Sequence, residues 1–253
     1  MNTLRMKTAP KIAAALAVAS GLFFASSARA DVLLFDDFSD GNYTSDPAWS
    51  ASQGTWSVSD DAVHTGGGTS SFTFLQTKDF TNITSGVFSL SVDVQFSSLT
   101  VVGTNRIVLR MRDSQNSSAG FEVAIAQGTM NNSGISAVSG ATIGTQTKTT
   151  SPYTFPLDTY VTITWERTAL GAMTVHVGNQ LYFSVDTSSI TNFKGFDTLD
   201  IGGRTYIDAT TTYGYSFTNV ELSTVPEPNS VGLLLGVGGV FLMVSRRRRS
   251  RMC

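Results

Sequence analysis

Residues 87–96 read VFSLSVDVQF, and this run decides the fold class. Its apolar residues alternate with polar ones, and they are Phe88, Leu90, Val92, Val94 and Phe96. A period of two is that of a β-strand with one buried face. The same alternation recurs at 107–112, 121–126, 161–166, 173–185 and 215–222. Many short strands of this kind predict an all-β domain in which two antiparallel sheets pack as a β-sandwich.

Two local features refine this prediction. The runs Met173–Val177 and Leu181–Val185 flank Gly178-Asn179, which predicts a hairpin with a two-residue turn. The alternation of the last run slips at Thr218-Asn219, which predicts a β-bulge in the closing strand.

Residues 31–224 are predicted to be one acidic domain. Of the 17 Lys and Arg, nine lie in the two ends, whereas Glu227 alone among the 19 Asp and Glu does, so this domain has a formal charge of −10. That charge would repel a phosphate backbone, which excludes nucleic acid as a partner. Cys253 is the only cysteine, so the domain has no internal disulfide and no cysteine-based zinc site.

The first 30 residues have the three parts of a secretory signal peptide. Basic residues within 5–11 precede an apolar run at 12–25, and Ala28 and Ala30 then place small side chains before a cleavage site. The apolar run is short for a retained membrane anchor, which is the alternative. We expect a signal peptidase to cut after Ala30 and the domain to be exported.

Residues 225–253 form a second distinctive end. The triplet Pro226, Glu227 and Pro228 precedes an apolar segment at 231–244. As a helix this segment would rise about 21 Å, short of a bilayer core of about 30 Å, so polar flanks and snorkelling arginines must complete a transmembrane helix. The basic residues that follow are Arg246, Arg247, Arg248 and Arg249. They should stay in the cytoplasm as a membrane stop, which leaves the domain outside.

This triplet, short apolar helix and arginine cluster resemble the PEP-CTERM sorting signal of Gram-negative bacteria. The resemblance implies recognition by an exosortase, which processes the tail near the triplet. It also implies a transient stay in the inner membrane, followed by the cell surface or secretion, and a link to exopolysaccharide and biofilm. The alternative is an ordinary C-terminal anchor that is never processed.

The order of elements in the domain resembles the concanavalin A-like lectin/glucanase and laminin-G-like jelly rolls. The segments that carry this likeness are Phe35–Phe38, Gly54–Val58, Tyr160–Val185, Leu199–Gly203 and Phe217–Leu222. The resemblance implies a jelly-roll sandwich and raises the expectation of polysaccharide binding.

A catalytic pair of carboxylates is not evident. The related β-glucanases carry Glu-x-Asp-x-x-Glu on one strand, and no such run occurs here, where Glu122, Glu166 and Glu221 stand apart. We therefore expect a non-catalytic surface or matrix protein. The alternatives are a carbohydrate-active hydrolase with an unrecognised carboxylate pair and an unprocessed, membrane-anchored binding module.

The histidines and tryptophans offer weaker signals. His176 alternates with apolar residues and should point away from the core, whereas His64 precedes Thr65 and three glycines and is assigned to a turn. Trp165 shares the apolar phase of its strand and is predicted to be buried, while Trp49 is assigned to a loop and is the best candidate for an exposed sugar-stacking residue.

The loop after the first strand contains Asp36, Asp37 and Asp40. Carboxylates are the ligands that Ca²⁺ prefers, and lectin-like jelly rolls often hold a structural Ca²⁺ on such a loop. Calcium is therefore the one cofactor considered, and the alternative is a solvated acidic loop.

Overall fold

The computed structural model describes residues 30–66, 72–97, 105–128, 133–137, 146–148, 152–189, 195–204 and 213–225. The predictions for Ala28, for the Pro226–Pro228 triplet, for the apolar segment at 231–244 and for the arginine cluster lie outside these residues. No helix among the described residues is long and apolar enough to cross a membrane.

Fifteen strands and no helix occur in the described part of the chain. The strands are β1 (Val32–Asp36), β2 (Trp49–Gln53), β3 (Trp56–Ser59), β4 (Ala62–Gly66), β5 (Phe72–Thr77), β6 (Phe88–Phe96), β7 (Arg106–Asp113), β8 (Asn116–Ala126), β9 (Gly134–Ala137), β10 (Thr147–Lys148), β11 (Val161–Arg167), β12 (Ala172–Val177), β13 (Gln180–Asp186), β14 (Thr198–Arg204) and β15 (Tyr213–Ser223).

The strands form two antiparallel sheets. Sheet A has the order β10-β13-β12-β11-β6-β15-β4-β3, and β1 also pairs with β15; sheet B has the order β2-β5-β14-β7-β8-β9. In β6 the exposed and buried positions alternate without interruption, and all five apolar side chains are buried. The inward residues of both sheets join one hydrophobic core. The predicted all-β antiparallel sandwich is confirmed.

Both predicted local features are present. Val177 pairs with Gln180 across a turn in which Gly178 has φ +58°, a conformation that glycine adopts without strain. The register of β15 against β6 shifts between Thr218 and Glu221. This bulge lets β15 change its other partner along its length, from β4 in its first half to β1 in its second.

Buried aromatic rings pack within sheet A, and a polar contact links sheet A to sheet B. Trp165 is fully buried as predicted, and its ring meets that of Phe88 edge to face at 5.1 Å. Tyr215 of sheet A reaches Thr73 of sheet B, where its hydroxyl bonds to the threonine hydroxyl and donates to the Thr73 carbonyl at 3.3 Å. Burial raises the pKa of Tyr215, because the phenolate would lose its hydration in the core.

Candidate functional site

The outer surface of sheet B holds a cluster of arginines and phenylalanines. On the central strands of sheet B, the residues of the opposite phase point inward and belong to the main core. Examples are Leu75, Ile201, Leu109 and Val123. We call the outward set the arginine face: Phe72, Phe74 and Gln76 of β5; Arg106, Val108, Arg110 and Arg112 of β7; Glu122 and Ala124 of β8; and Asp200, Gly202 and Arg204 of β14.

Strand register arranges this face in rows. One row runs from Phe72 through Arg204 to Arg106, and the next from Phe74 through Gly202 to Val108. A further row contains Gln76, Asp200, Arg110 and Glu122 in that order across the four strands. Neighbouring strands lie about 4.8 Å apart, so side chains within a row are within reach of one another.

A small apolar floor lies under the charged groups. Phe74, Val108 and Ala124 form a hydrophobic cluster separate from the main core, and Phe72 packs against it. The rings of Phe72 and Phe74 are stacked, with centroids 5.9 Å apart and planes inclined by 7°. A Cβ atom on Gly202 would lie 2.6 Å from Cδ1 of Phe74 and 2.1 Å from the Thr73 carbonyl oxygen. Glycine is therefore required where the ring crosses β14.

Guanidinium groups lie over these rings. The Arg106 guanidinium carbon is 4.4 Å from the Phe72 ring centroid, and that of Arg110 is 4.0 Å from the Phe74 centroid. Both distances are within the range of attraction between a cation and the negative face of an aromatic ring. The rings thus help to hold the two guanidinium groups in place.

Two ion pairs fix the other end of the face. Arg112 donates to both carboxylate oxygens of Asp200, from Nε at 2.6 Å and from Nη2 at 2.8 Å. Gln76 donates to the same carboxylate at 2.8 Å. Arg110 donates from Nε to Glu122 at 2.7 Å. Bidentate and charge-assisted bonds of this kind specify geometry as well as energy.

The arginine face has a positive balance on an acidic domain. Its named side chains include four arginines and two carboxylates. Nε of Arg106 is buried and makes no hydrogen bond among the described residues. Burial of this guanidinium, with the nearby charges of Arg204 and Arg110, lowers the pKa of Arg106. It is still a cation at any physiological pH, because an arginine side chain is always protonated in proteins.

The aspartates of the predicted calcium loop each satisfy local hydrogen bonds. Asp36 accepts from the Phe38 amide at 2.8 Å and from Nε1 of Trp49 at 2.7 Å. Asp37 accepts from the Ser39 amide at 3.0 Å, and Asp40 accepts from the amide and side chain of Asn42. Burial raises the pKa of Asp36, despite these two donors. Within the described ranges, no three His, Asp or Glu side chains are grouped as metal ligands. This arrangement does not favour a cation, and calcium here stays a prediction.

The assignment of Trp49 to an exposed loop is wrong. Trp49 begins β2 and is 3% exposed. Its ring packs 6.2 Å from that of Phe38, and its N–H is satisfied by the Asp36 carboxylate. A buried acceptor at the end of β1, in the other sheet, is what allows a tryptophan with a polar edge to enter the core.

His64 and Glu166 form hydrogen bonds within sheet A. The assignment of His64 to a turn is wrong, because it lies in β4 and is buried, with Nδ1 2.6 Å from Oγ of Ser216 and Nε2 2.9 Å from the Ser59 carbonyl. His176 points away from the core, as predicted, and is half-buried. Glu166 accepts a hydrogen bond from Ser89 on the outside of sheet A.

Sequence reasoning missed the arginine face. Arg106, Arg110 and Arg112 share one phase of β7, and with Arg204 they make up four of the eight Lys and Arg within 31–224. That concentration of cations in an acidic domain was the available signal. The alternation places them outside the core but does not reveal that β14 and β5 lie beside β7.

The fold defines this protein as a lectin-like β-sandwich. One similar structure is the "Cellulose induced protein, Cip1", with a TM-score of 0.53 and 14% identity over 76% of this chain and 97% of that chain. The winged bean acidic lectin complexed with methyl-α-D-galactose has a TM-score of 0.52 and 10% identity, over 79% and 99% of the two chains. A GlcNAcα1-4Gal releasing endo-β-galactosidase from Clostridium perfringens has a TM-score of 0.56 and 8% identity, over 81% and 65%. At these identities the likeness extends to the fold alone.

The C-terminal residues match a known sequence motif. Residues 224–249 match the PEP-CTERM protein-sorting motif. The predicted sorting signal is thereby confirmed, and the motif indicates an exported protein. Among curated proteins, none matches the chain in sequence.

Proposed function

We propose that this protein is an exported, non-catalytic carbohydrate-binding protein of the cell surface or extracellular matrix. The observation that carries the proposal is the arginine face, an array of hydrogen-bonding side chains on the outer surface of a lectin-like sandwich. The sorting motif supports its placement outside the cytoplasm. On this proposal the protein contributes to exopolysaccharide or biofilm material.

The face suits a ligand rich in hydroxyl groups. Gln76, Asp200 and Arg112 are already joined by hydrogen bonds, as are Arg110 and Glu122. The side chains of both groups stand on paired strands and are held by these bonds, so they lose little conformational freedom when a ligand binds. Such preorganisation lowers the entropic cost of association.

We propose that cleavage at both ends produces the mature protein. Signal peptidase would release the protein after Ala30, and an exosortase would act near Pro226–Glu227–Pro228. The two prolines hold the backbone extended, which suits a protease groove. We expect the mature mass to end near the triplet in the native host, and a Glu227→Ala variant to keep its tail. Mature protein that still extends through Cys253 would indicate an unprocessed membrane-anchored module instead.

The carbohydrate-binding experiment uses the mature protein from the native host. Retention on immobilised polysaccharides should be measured for the wild type and for an Arg110→Ala, Arg112→Ala double variant. We expect the double variant to lose retention, since both ion pairs disappear. Thr174→Ala changes the outer surface of sheet A instead and is the matched control. Retention unchanged in the double variant would remove the arginine face as the binding site.

One observation favours a hydrolase as the second candidate. Asp200 and Glu122 lie in the same row with β7 between them. Two strand spacings place their Cα atoms about 10 Å apart. Side chains that lean toward one another from such positions can bring two carboxyl groups to the separation of about 6.5–9.5 Å found in inverting glycosidases. Each is engaged by an arginine, which favours a structural role. Release of reducing ends from a bound polysaccharide, abolished by Glu122→Gln, would establish the hydrolase and replace the non-catalytic proposal.

A further inference from the structure

The ring of Phe74 and that of the half-buried Phe72 each have an arginine guanidinium over them. Phe74 is 4% exposed and Val108 is fully buried, whereas the side chains of Arg110 and Arg112 are 27% and 28% exposed. A ligand arriving from solvent therefore meets guanidinium groups before it meets aromatic carbon. Stacking of an uncharged sugar ring needs a bare aromatic face, because the attraction is between polarised C–H groups and that face.

Tryptophan does not supply such a platform in the described part of the chain. Trp49, Trp56 and Trp165 are all buried. The aromatic side chains that are most exposed among the described residues are Phe35 and Tyr160, and both lie apart from sheet B. Recognition on this face must therefore depend on charge and hydrogen bonds.

The charge of the face favours an anion. The face holds four arginines and only two carboxylates, those of Asp200 and Glu122, so its named side chains have a positive balance, although residues 31–224 carry a formal charge of −10. A local positive field on an otherwise negative surface steers anions to one place and repels them elsewhere. Arg106 is the cation best prepared for a ligand. Its guanidinium is held over Phe72 and forms no ion pair among the described residues. Because its Nε is buried, the two Nη atoms are the donors that can face a ligand.

We propose that the arginine face binds an anionic polysaccharide, with Arg106 donating to a carboxylate or sulfate oxygen of the ligand. This inference rests on the proposed carbohydrate-binding function and names the class of carbohydrate. The planar guanidinium matches such oxyanions with two parallel hydrogen bonds, which a lysine cannot reproduce. Arg110 and Arg112, already oriented by Glu122 and Asp200, contact the same chain of sugars through hydroxyl groups.

The test compares one polymer in two charge states. The mature wild-type protein is titrated with polygalacturonate and with the same polymer after reduction of its carboxyl groups to alcohols; a sulfated glucan and its unsulfated parent form the second pair. We expect affinity at least about tenfold higher for the anionic member of a pair, the equivalent of one charge-assisted hydrogen bond. The pair that shows the difference identifies the oxyanion. We also expect affinity to fall as NaCl is raised, because salt screens the attraction.

Two variants assign the effect to Arg106. Arg106→Gln should weaken binding of the anionic polymer about tenfold, and Arg106→Lys should restore only part of it. Gln95→Glu makes the same change in net charge on the outer surface of sheet A and should change affinity less than about twofold, because the added charge lies on the opposite sheet and is screened. Thermal melts check that each variant is folded, and the salt dependence of the wild type tests the proposal without any variant.

The outcomes separate the two proposals. Equal affinity for both members of each pair would overturn the anionic inference and leave carbohydrate binding in place. Binding to neither anionic nor neutral polymers would overturn both. Binding of the anionic polymer that Arg106→Gln and Gln95→Glu weaken equally would overturn the assignment to this face.

Discussion

The hydrogen bond between Trp49 and Asp36 allows one stability prediction to be worked out in detail. Asp36 is buried and accepts from Nε1 of Trp49 at 2.7 Å and from the Phe38 amide at 2.8 Å. Asp36→Ala removes the acceptor and leaves two donors in a dry site. Each of the two unsatisfied buried donors costs about 1–3 kcal/mol, and relief of the desolvated carboxylate offsets part of the sum, so we expect a loss of about 2–3 kcal/mol.

The assay is equilibrium unfolding in urea followed by far-UV circular dichroism. For a domain of this size the loss corresponds to a fall in Tm of roughly 4–12 °C. Asp37→Ala is the matched control, because that neighbouring carboxylate caps only the exposed Ser39 amide, and it should cost less than about 1 kcal/mol.

A double-mutant cycle isolates the pair. Trp49→Phe removes the donor while keeping an aromatic ring, and it should make Asp36→Ala less costly by about 1–2 kcal/mol. If the two changes add without coupling, or if Asp36→Ala costs no more than Asp37→Ala, then the buried hydrogen bond does not hold Trp49 in the core and the reasoning is refuted.

Four further predictions follow from the same contacts. The pKa of Asp36 is raised above its ordinary value of 3.8 by burial, so its contribution to stability is present below that value and is lost as pH rises through the folded-state pKa; the difference in unfolding free energy between wild type and Asp36→Asn should show this fall, and a flat difference would contradict it. Tyr215→Phe should cost about 1–2 kcal/mol with an unchanged urea m-value, and less in a Thr73→Val background, where its hydroxyl partner is already absent. Gly202→Ala should cost about 1–3 kcal/mol through its clash with the Thr73 carbonyl, more than Gly41→Ala, which has open space but φ +80°; the reverse order in thermal melts would exclude close approach as the reason for Gly202. Calcium bound by the loop of Asp36, Asp37 and Asp40 would raise Tm and EDTA would reverse it, whereas a Tm insensitive to both would eliminate that site.

Much of the architecture could be predicted because β-structure leaves a local signature. The period of two along 87–96 identifies a strand whose apolar side is buried, and β6 has that side buried without exception. The Gly178-Asn179 turn and the bulge at Thr218 were predictable for the same reason. Each depends on the conformation of a few consecutive residues rather than on distant partners.

Residues whose environment comes from distant strands were assigned less well. Trp49 was placed on the surface because its neighbours in sequence are polar, yet its partner Asp36 lies in the first strand. The glycines after His64 predict a turn, yet Nδ1 of His64 lies 2.6 Å from the hydroxyl oxygen of Ser216 in the closing strand. In both cases a polar atom is buried because a partner on another strand satisfies it, and local pattern contains no information about that partner.

By itself the sequence determined the parts of this protein that are local: the alternation that makes strands, the acidic balance of the domain and the sorting motif at 224–249. Only the tertiary structure decided the functional surface. The alternation along β7 predicts that Arg106, Arg110 and Arg112 point away from the core. Only the strand order β5-β14-β7-β8 places Phe72, Asp200 and Glu122 beside them. Strand order is set by packing over the whole core, so the chemistry of a sheet face emerges only when non-consecutive strands meet.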